Sequence, residues 1–445
     1  MTSPSPAPLT NREAAVRVLS RLRDEGHVAY FAGGSVRDTI LGLEPKDHDV
    51  ATDARPERVL ALFPRAVPVG VQFGVVRVLE GGHSVEVATF RTDHRYEDGR
   101  HPVGVSFTTP EEDARRRDFT INGLFLDPAS GEVLDFVGGR ADLENGVVRA
   151  IGNPRARFEE DRLRLLRAVR FAARFSFEIE PGTFAAIRDV ASTVVSVSAE
   201  RIRDEIEKML LGPRPDAALR LLSASGLLRA VLPEVDALRG VEQPPEFHPE
   251  GDVFTHVLLM LSKMGTPRSF ELAMGVVLHD VGKPPTFTRT DRIRFNNHAD
   301  VGAAMAESIC ERLRTSRKSR ERIVSLVREH MKFAEVKNMR ESRLRRFLGI
   351  DGFEEHLELH RIDCESSHRL LDNYEFCRAK LAEYAAETPL PEPLVTGHDL
   401  IAMGHSPGRD LGKMLARLRD MQLEGAFASR EDALGAARRL FPPPA

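Results

Sequence analysis

The spacing of apolar residues divides the chain into a mixed N-terminal part and a long helical part. Residues 12–25 repeat apolar side chains at helical spacing, and the strand-like sequence HVAYFAGG follows them and stops at two glycines. After the glycines, the pattern predicts helix 35–41, strand 47–50, helix 56–63 and strands 75–79 and 84–89. This alternation of helices and strands predicts an α/β domain at the start of the chain.

From residue 153 onward the pattern becomes almost wholly helical, beginning with RARFEEDRLRLLRAVRFAARF, and only 293–295 is considered as a further strand. Proline-rich breaks at 213–215, 244–245 and 389–393 indicate joints between helical subdomains. We therefore predict an α+β protein with five segments: an N-terminal lead and first helix (1–27), an α/β head (28–150), a helical neck (151–215), a helical body (216–385) and a helical tail (386–445).

The composition is that of a soluble globular protein, with 42% hydrophobic and 29% charged residues. No apolar run approaches the roughly 18 residues that a membrane span requires. The cysteines at 310, 364 and 377 are odd in number and lack CxxC spacing, which argues against a disulfide framework or a thiolate zinc site. The net charge of −4 indicates no overall basic surface, so phosphate binding would depend on local clusters. The opening MTSPSPAPLT lacks the features of a signal peptide, and we expect a cytoplasmic protein.

A glycine pair ends the first predicted strand, in the string GGSVRD at 33–38. Glycines there let the backbone approach a triphosphate, and the start of the next helix offers free N–H groups. Asp47 and Asp49 follow, and because they alternate along a strand, their carboxylates point to the same side. Two carboxylates beside a phosphate-binding turn are suited to hold Mg²⁺ for the attack of a hydroxyl on an α-phosphate.

In this order and spacing, the string GGSVRDTILGLEPKDHDVAT resembles the catalytic motif of the polymerase β-type nucleotidyltransferase superfamily, and in particular its class II CCA-adding branch. The resemblance runs from about Ala29 to Leu211. It implies that Asp47 and Asp49 are catalytic and bind Mg²⁺. It also assigns nucleotide binding to Gly33, Gly34, Ser35, Arg37 and Asp38. Glu86, in the next predicted strand, is either a third acidic ligand or a charge on a solvent-facing strand.

A second polar block, RRRDFTIN at 115–122, combines guanidinium groups suited to phosphate with side chains that can hydrogen-bond a ribose. By itself it is equally well a surface charge run. It resembles the RRD motif of the same family, which implies that Arg117, Asp118 and Asn122 bind the nucleoside triphosphate. The connection before it, around Asp98-Gly99-Arg100, resembles the flexible loop of relatives that add CCA or A, whereas relatives that add only CC lack such a loop.

A third block, EDRLR at 160–164, is predicted to lie in one helix, where Asp161 and Arg164 would share a face and present an acceptor beside donors. An intrahelical salt bridge is the alternative. The block resembles the EDxxR motif by which class II enzymes choose CTP or ATP, which assigns base recognition to Glu160, Asp161 and Arg164. The arginines that continue along this helix are either a solvated stripe or contacts to nucleotide and RNA; we assign Arg167 and Arg170 to nucleotide binding and Arg174 to RNA binding.

Histidine and aspartate residues spread over the helical part form a second candidate metal site. His256, the doublet His279-Asp280 and Asp363 resemble the H…HD…D signature of HD-type phosphohydrolases. Imidazole and carboxylate groups suit a divalent metal, here Mg, Mn or Ni, which would activate water for attack on a phosphoester. Further candidate ligands are His248, His298 and His330.

The full resemblance implies a polymerase β-type nucleotidyltransferase head followed by an all-helical neck, an HD-like body and a tail. The tail carries basic residues that either hold the tRNA elbow or form a solvated helix face: Arg409, Lys413, Arg417 and Arg419. The implied activity is the addition of CCA to the 3′ end of tRNA from CTP and ATP, with release of pyrophosphate and without a membrane partner. The alternatives are an A-adding tRNA nucleotidyltransferase, a poly(A) polymerase, or an HD-type phosphohydrolase with an RNA-binding head.

Overall fold

A computed structural model describes residues 9–94, 104–386 and 392–442 of the 445-residue chain. The chain separates into two compact units. The first contains the described residues up to Ala237 together with Ile309–Ser316, and the second contains Leu238–Ser308 and the described residues from Arg317 onward. No helix in the described parts of the chain is both long and apolar enough to cross a membrane.

The head is built around one mixed sheet. Its strands are β1 (Ala29–Ala32), β2 (Asp49–Thr52), β3 (Ala66–Gly70), β4 (Val75–Glu80), β5 (His83–Thr89), β6 (Arg91–Asp93), β7 (Val105–Phe107), β8 (Leu124–Leu126) and β9 (Val133–Asp135). Its helices are α1 (Asn11–Asp24), α2 (Gly34–Ile40), α3 (Pro56–Leu62), α4 (Pro110–Arg115) and α5 (Gly139–Glu144), with 3₁₀ turns at Val71–Phe73 and Thr120–Asn122.

The sheet has the strand order β3-β4-β5-β2-β1-β8-β9. Strands β2 and β5 are parallel, and the other neighbouring strands are antiparallel. Strands β6 and β7 form a separate pair. Helix α1 begins at a capping box between Thr10 and Glu13, and its apolar face, including Val18 and Leu22, is buried. This packing fixes the strand ends that carry the polar residues described below.

The rest of the first unit is mainly helical. It contains β10 (Val147–Val148), α6 (Pro154–Glu160), α7 (Leu163–Phe175), β11 (Glu178–Ile179), α8 (Pro181–Val190), a 3₁₀ turn (Ala191–Ser196), α9 (Ala199–Leu210), α10 (Pro215–Ala224), α11 (Leu227–Val231) and α12 (Pro233–Asp236). The short pair β10 and β11 was not predicted, because two residues are too few to establish an alternating pattern.

The remaining elements are α13 (Val253–Lys263), α14 (Phe270–Leu278), α15 (Lys283–Thr286), β12 (Phe287–Arg289), β13 (Ile293–Phe295), α16 (His298–Arg312), α17 (Arg317–Glu329), a 3₁₀ segment (His330–Asn338), α18 (Glu341–Leu348), α19 (Phe353–Ser366), α20 (Asp372–Ala386), α21 (Gly397–Ala402), α22 (Arg409–Leu423) and α23 (Arg430–Leu440). The strand considered at 293–295 is present and pairs with β12. The predicted α+β class, with an α/β head and helical remainder, is confirmed.

Candidate active site and metal centre

Three carboxylates lie along one side of the head sheet. Asp49 begins β2, and the parallel register of β2 and β5 places it beside Glu86, which is also exposed. Asp47 comes just before the strand and is exposed, whereas His48 between the two aspartates is buried. Asp47 was predicted within the strand, but the strand begins at Asp49. The exposed-buried-exposed order of residues 47–49 is that of an extended segment, which would place Asp47 and Asp49 on the same side. The Asp47 carboxylate is also approached by the Asn11 side-chain amide, at 3.5 Å.

The charge around Asp49 fits a divalent cation. Partial removal from water, together with the negative charges of Glu86 and Asp47, raises the pKa of Asp49 to about 6, and Arg117 opposes this shift. Asp49 nevertheless stays exposed, so an ion from solvent can reach it. Carboxylate oxygens are the ligands that Mg²⁺ prefers. The three carboxylates are not among the groups of described residues whose ligand atoms all lie within 4.8 Å of one another.

The predicted glycine turn joins β1 to α2 next to these carboxylates. Gly33 has a positive φ of 69°, which favours glycine, and a Cβ atom there would lie 2.9 Å from Nη1 of Arg117. Gly34 begins α2, and the Ser35 hydroxyl is buried and donates to the carbonyl oxygen of Ala32 at 3.2 Å. The turn therefore brings a bare backbone against the Arg117 guanidinium.

Gly33→Ala is expected to lower the free energy of unfolding by about 1 kcal/mol and to lower nucleotide incorporation by about tenfold. The first effect comes from the positive φ, and the second from displacement of Arg117. Gly26→Ala is the matched control, since Gly26 also has a positive φ (82°) but nothing lies within 4 Å of the added Cβ position. Thermal melts and incorporation rates of both variants would test this, and equal activity losses would contradict it.

A buried polar network lies behind the turn. Arg37 donates through Nε and Nη2 to Oδ1 of Asp38, at 2.8 and 2.6 Å, and through Nη1 to Oδ1 of Asn122 at 2.5 Å. Asn122 donates to Oδ1 of Asp118 at 2.9 Å, and Arg167 donates to Oδ2 of Asp118 at 2.8 Å. Burial would raise the pKa of Asp118, but Arg167 and Asn122 hold it at about 2. Asp118 is therefore an ionised, fully bonded group that ties the head to helix α7.

The sequence suggested that these side chains bind the nucleotide, but in the structure they bond to other protein groups. The guanidinium of Arg37 and the side chains of Asp38, Asp118 and Asn122 are all buried and bonded to one another or to the neck. Their assignment to triphosphate and ribose stays a prediction. In this structure they join the start of α2 to the 3₁₀ turn at Thr120–Asn122 and to α7.

Asp113 was not predicted as a site residue, yet it holds the arginines of the second block. It is 1% exposed. Its Oδ1 accepts from Nε and Nη2 of Arg116 at 2.9 and 2.7 Å, and its Oδ2 accepts from Nε and Nη2 of Arg117 at 3.1 and 2.9 Å. Burial raises the pKa of Asp113, but the two arginines lower it below its usual value overall. The spacing of three and four residues could have suggested this pairing.

The prediction that Asp161 and Arg164 share a face of one helix is wrong. Helix α6 ends at Glu160, and Asp161 is extended (φ −140°, ψ 104°) before α7 begins at Leu163. Arg164 donates to Glu160 Oε2 at 2.7 Å, so its salt bridge is with Glu160. Asp161 is instead held by Arg201 of α9, through Nη2 and Oδ2 at 3.1 Å. The sequence did not reveal this break because Phe158 of α6 and the buried apolar residues of α7, which begin at Leu163, follow one another closely enough to resemble one helical run.

The arginines of α7 do not form a solvated stripe, and the assignment of Arg167 and Arg170 to nucleotide and of Arg174 to RNA stays a prediction. Arg164 is buried and also donates to the Arg157 and Arg116 carbonyl oxygens, at 3.1 and 3.3 Å. Arg170 donates to the buried Glu205 at 2.6 Å. Arg174 is exposed and reaches Oδ2 of Asp38 at 2.9 Å. Most of this row is therefore committed to internal contacts.

In the second unit, the histidines and aspartates of the H…HD…D pattern lie close together. The side-chain ligand atoms of His256, His279 and Asp363 all lie within 4.8 Å of one another. His256 Nε2 is 3.1 Å from Asp363 Oδ1, and its Nδ1 is 2.6 Å from Oε1 of Glu250, which His248 also contacts at 2.9 Å. Burial disfavours the charged form of His256, but Asp363 and Glu250 raise its pKa to about 9.

A second group of three possible metal ligands lies next to the first, because His279 belongs to the first group and the adjacent Asp280 to the second. Asp280, His298 and His330 also have ligand atoms within 4.8 Å of one another, and all three are buried. The Nε2 atoms of His298 and His330 face each other at 3.2 Å. Burial lowers the pKa of His330 to about 3, with a further contribution from His279. His298 and His330, which sequence spacing left uncertain, are thus part of the same centre.

The tautomers in this cluster fit metal binding. Nδ1 of His279, His298 and His330 lies 2.9, 2.9 and 2.6 Å from the carbonyl oxygen three residues earlier. Each Nδ1 must carry the proton to donate there, which leaves Nε2 with a free lone pair pointing into the cluster. Facing lone pairs repel, so a cation between them would relieve the repulsion. Asp280 also has a cationic neighbour, since Oδ2 lies 2.7 Å from Lys283 Nζ.

Two further sets of residues were singled out in the sequence. The Asp98-Gly99-Arg100 loop falls outside the described residues. In the tail, Lys413 pairs with Asp410 at 2.8 Å, and Arg417 is exposed. The tail has its own small core, including Val395, Leu400 and Phe427. Whether these basic groups contact tRNA stays a prediction.

Comparison with known families agrees with this arrangement. The sequence model of the Poly A polymerase head domain matches residues 29–149. That of a probable RNA and SrmB-binding site of polymerase A matches 176–238, and that of the HD domain matches 253–370. Both the nucleotidyltransferase and the HD families depend on divalent metals, and the carboxylate and imidazole groups described above lie within the matched segments, except for His248 and Glu250, which come just before the HD match.

Individual relatives are CCA-adding enzymes. That of Ligilactobacillus salivarius is 45% identical over 207 residues, which is 46% of this chain and 51% of the relative. That of Lactiplantibacillus plantarum is 43% identical over 240 residues, or 53% and 59% of the two chains. The chain thus spans about half the length of the curated relatives it matches.

Solved structures extend the likeness over the whole chain. The Bacillus stearothermophilus CCA-adding enzyme, solved with CTP, superposes with a TM-score of 0.71 at 25% identity, covering 97% of this chain and 98% of that one. The Thermotoga maritima CCA-adding enzyme, solved with tRNA, has the same fold, with a TM-score of 0.57 at 20% identity and coverage of 95% and 94%. The resemblance inferred from the motifs is confirmed at the level of domains: the chain carries a Poly A polymerase head domain and an HD domain, and it shares the fold of CCA-adding enzymes.

Proposed function

We propose that this protein adds nucleotides without a template to the 3′ end of tRNA in the cytoplasm, and that the added sequence is CCA from CTP and ATP. The observation that carries the proposal is the carboxylate row of Asp47, Asp49 and Glu86 beside the Gly33 turn and Arg117. The likeness to CCA-adding enzymes, one of them solved with CTP and another with tRNA, supports the choice of substrates.

In the proposed reaction, the 3′-hydroxyl oxygen of the RNA bonds to the α-phosphorus of the nucleoside triphosphate, and the bond to pyrophosphate breaks. Mg²⁺ held by Asp47 and Asp49, with Glu86 nearby, would neutralise the charge of the phosphates. Arg117, fixed by Asp113, provides a cation at the glycine turn. Catalysis by such a site is chiefly positioning and charge neutralisation.

The choice of base would come from protein side chains. The edges of cytosine and adenine both present an amino donor next to a ring-nitrogen acceptor, whereas uracil and guanine present a carbonyl next to an N–H. A carboxylate is an acceptor only, and a guanidinium is a donor only. Asp161 facing the amino group and Arg164 facing the ring nitrogen would therefore accept C and A and reject U and G. Glu160 and two carbonyl oxygens orient Arg164 for this role.

Incubation of the protein and Mg²⁺ with tRNA lacking its 3′ end, with CTP and ATP supplied singly and together, tests the proposal. We expect two nucleotides with CTP alone and three with both. Addition of a single A, restricted to tRNA that already ends in CC, would indicate an A-adding enzyme. Growth beyond three nucleotides on ordinary RNA would indicate a poly(A) polymerase, and no addition at all would overturn the proposal.

The imidazole and carboxylate cluster of the second unit supports a second candidate activity, a metal-dependent phosphohydrolase. His256, His279, Asp280 and Asp363 would hold a divalent metal such as Mg, Mn or Ni, and His298 and His330 lie within reach of Asp280. A cavity of about 1490 Å³ is lined by His279, Asp280 and Asp363. A bound metal would lower the pKa of a water for attack on a phosphoester. Hydrolysis of 2′,3′-cyclic nucleotides that survives Asp47→Ala but not Asp280→Asn would support it.

A further inference from the structure

We propose that Glu250 is a positioning residue of the metal centre in the second unit, which holds the His256 imidazole so that its Nε2 atom faces the metal. This inference rests on the second candidate activity, because Glu250 would act through His256 and would not itself bind the ion. Glu250 lies outside the H…HD…D pattern and before the segment that the HD family model matches.

His256 is attached to the protein differently from His279, His298 and His330. Its Nδ1 lies 2.6 Å from Oε1 of Glu250, six residues earlier in the chain. In the other three histidines, Nδ1 contacts a backbone carbonyl oxygen three residues earlier. A carboxylate carries a full negative charge, so it makes the opposite ring nitrogen a stronger electron donor to a metal than a neutral carbonyl does. The orientation of His256 therefore depends on a charged side chain from outside its own helix.

The contact with Glu250 decides which nitrogen of His256 is available to a metal. The side chain of His256 is completely buried, and that of Glu250 is 8% exposed. When Nδ1 donates its proton to the carboxylate, Nε2 keeps a lone pair. Nε2 lies 3.1 Å from Oδ1 of Asp363, and His279 belongs to the same ligand group. Two electron-rich atoms at this distance need a proton or a metal ion between them.

His248 contacts the same carboxylate oxygen. Its Nδ1 lies 2.9 Å from Oε1 of Glu250, and the ligand atoms of His248, Glu250 and His256 lie within 4.8 Å of one another. Both distances to Oε1 are those of hydrogen bonds, in which two imidazole N–H groups donate to one charged oxygen. We therefore assign Glu250 as the acceptor for these imidazoles and not as a metal ligand.

Glu250 belongs to a loop, residues 240–252, whose two ends are held together. Asp252 caps the start of α13, and its Oδ2 accepts from the backbone N–H of Gly240 at 2.6 Å. A loop closed in this way has few conformations available to it. The loop can therefore hold the Glu250 carboxylate in a fixed place beside α13.

The same loop is attached to the second group of possible ligands. Oε1 of Gln243, a buried side chain, accepts from Nζ of Lys283 at 2.6 Å. That Nζ lies 2.7 Å from Oδ2 of Asp280. The loop thus contacts His256 of one group directly, through Glu250, and Asp280 of the other group through Lys283. Attachment at both groups supports a role of the loop in the arrangement of the whole centre.

Two substitutions separate the hydrogen bond of Glu250 from its charge. Glu250→Gln keeps an oxygen that accepts from Nδ1 of His256, but it removes the negative charge. Glu250→Leu removes the acceptor as well, so the imidazole can rotate or move its proton to Nε2. We expect Glu250→Gln to weaken Mn²⁺ binding by about tenfold and Glu250→Leu by about a hundredfold. Glu246→Gln, at an exposed glutamate of the same loop, is the control and should bind as the unmodified protein does.

The measurement is Mn²⁺ affinity of the full chain, from the electron paramagnetic resonance signal of free Mn²⁺. All proteins carry Asp49→Asn, which weakens the contribution of the head. A further pair compares His256→Ala with His256→Ala/Glu250→Leu. Because Glu250 acts through His256, the second substitution should cause no additional loss of affinity in this pair. An additional loss of about a hundredfold would assign the loop a purely structural role and would overturn the inference.

The outcomes distinguish the role of Glu250 from the existence of the metal centre. Mn²⁺ binding that Asp280→Asn does not weaken would overturn the metal centre and, with it, the role of Glu250. Binding that Asp280→Asn weakens but Glu250→Leu does not would overturn the role of Glu250 alone. Equal losses in Glu250→Gln and Glu250→Leu would also overturn it, because the retained acceptor would then have no effect. Thermal melts verify that each variant is folded, and Glu250→Gln, which keeps the hydrogen bond, provides the test if Glu250→Leu is not.

Discussion

Asp49→Asn is expected to lower the rate of nucleotide incorporation by about a thousandfold, with little change in thermal stability. The substitution keeps the shape of the side chain but removes the charge that a divalent cation needs. Asp49 lies next to Glu86 and on the same side as Asp47, and these mutually repelling carboxylates raise its pKa. A cation relieves the repulsion, so the loss of one carboxylate should weaken metal binding more than it weakens the fold.

The measurement is the single-turnover rate of addition to tRNA lacking its 3′ end, over a series of Mg²⁺ concentrations. Asp24→Asn is the control, because Asp24 is an exposed aspartate in α1. It should behave as the unmodified protein does. Retention of more than about a tenth of the activity in Asp49→Asn, at every Mg²⁺ concentration, would contradict the metal-binding assignment.

Asp280→Asn is expected to weaken binding of a divalent metal in the second unit by more than about a hundredfold. Asp280 belongs to the His279 doublet and lies 3.5 and 3.9 Å from the Nε2 atoms of His298 and His330, so it connects the two ligand groups. A neutral amide cannot balance the charge of a cation among these imidazoles. Buried Lys283, which lies 2.7 Å from Asp280, would lose its ionic partner, so a fall in stability is also expected.

Metal content after dialysis and calorimetric titration with Mn²⁺ would measure this effect independently of any catalytic activity. Asp300→Asn is the matched control, since Asp300 is exposed in the first turn of α16. Nucleotide addition by the head should persist in both variants. Unchanged Mn²⁺ affinity in a folded Asp280→Asn protein would show that the cluster is not a metal centre.

The sequence motifs predicted the local structure of the head more accurately than that of the neck. The strand-turn-helix at Gly33 follows from local physics, since a glycine pair ends an apolar run and a helical pattern comes next. The alternation of exposed and buried residues at 47–49 was also predictable, because alternation is a local property of an extended chain, although the strand itself begins only at Asp49. The break at Asp161 was missed, because one extended residue between two amphipathic helices scarcely disturbs the apolar spacing. Its partner Arg201 comes from another helix, and sequence spacing cannot reveal that contact.

Several charged residues that the sequence motifs suggested as ligand contacts are buried and form internal contacts. In the sequence, Arg37, Asp38, Asp118 and Asn122 are polar residues available for a ligand, but in the structure they bond to one another inside the protein. Asp113 appeared to be an ordinary acidic residue of a helix start, yet it is buried and fixes two arginines. Such roles depend on which surfaces meet in three dimensions, which a linear pattern does not record.

The sequence by itself determined the α+β class and the local structure of the glycine turn, because strand alternation, helical spacing and turn glycines act over a few residues. Its motifs also predicted the head and HD domains that the family models match. Only the tertiary structure decided which charges are neighbours: Asp49 with Glu86, Asp161 with Arg201, and Asp280 with His298 and His330. The physical reason is that Coulomb and hydrogen-bond energies depend on distance in space, and packing sets that distance independently of separation along the chain.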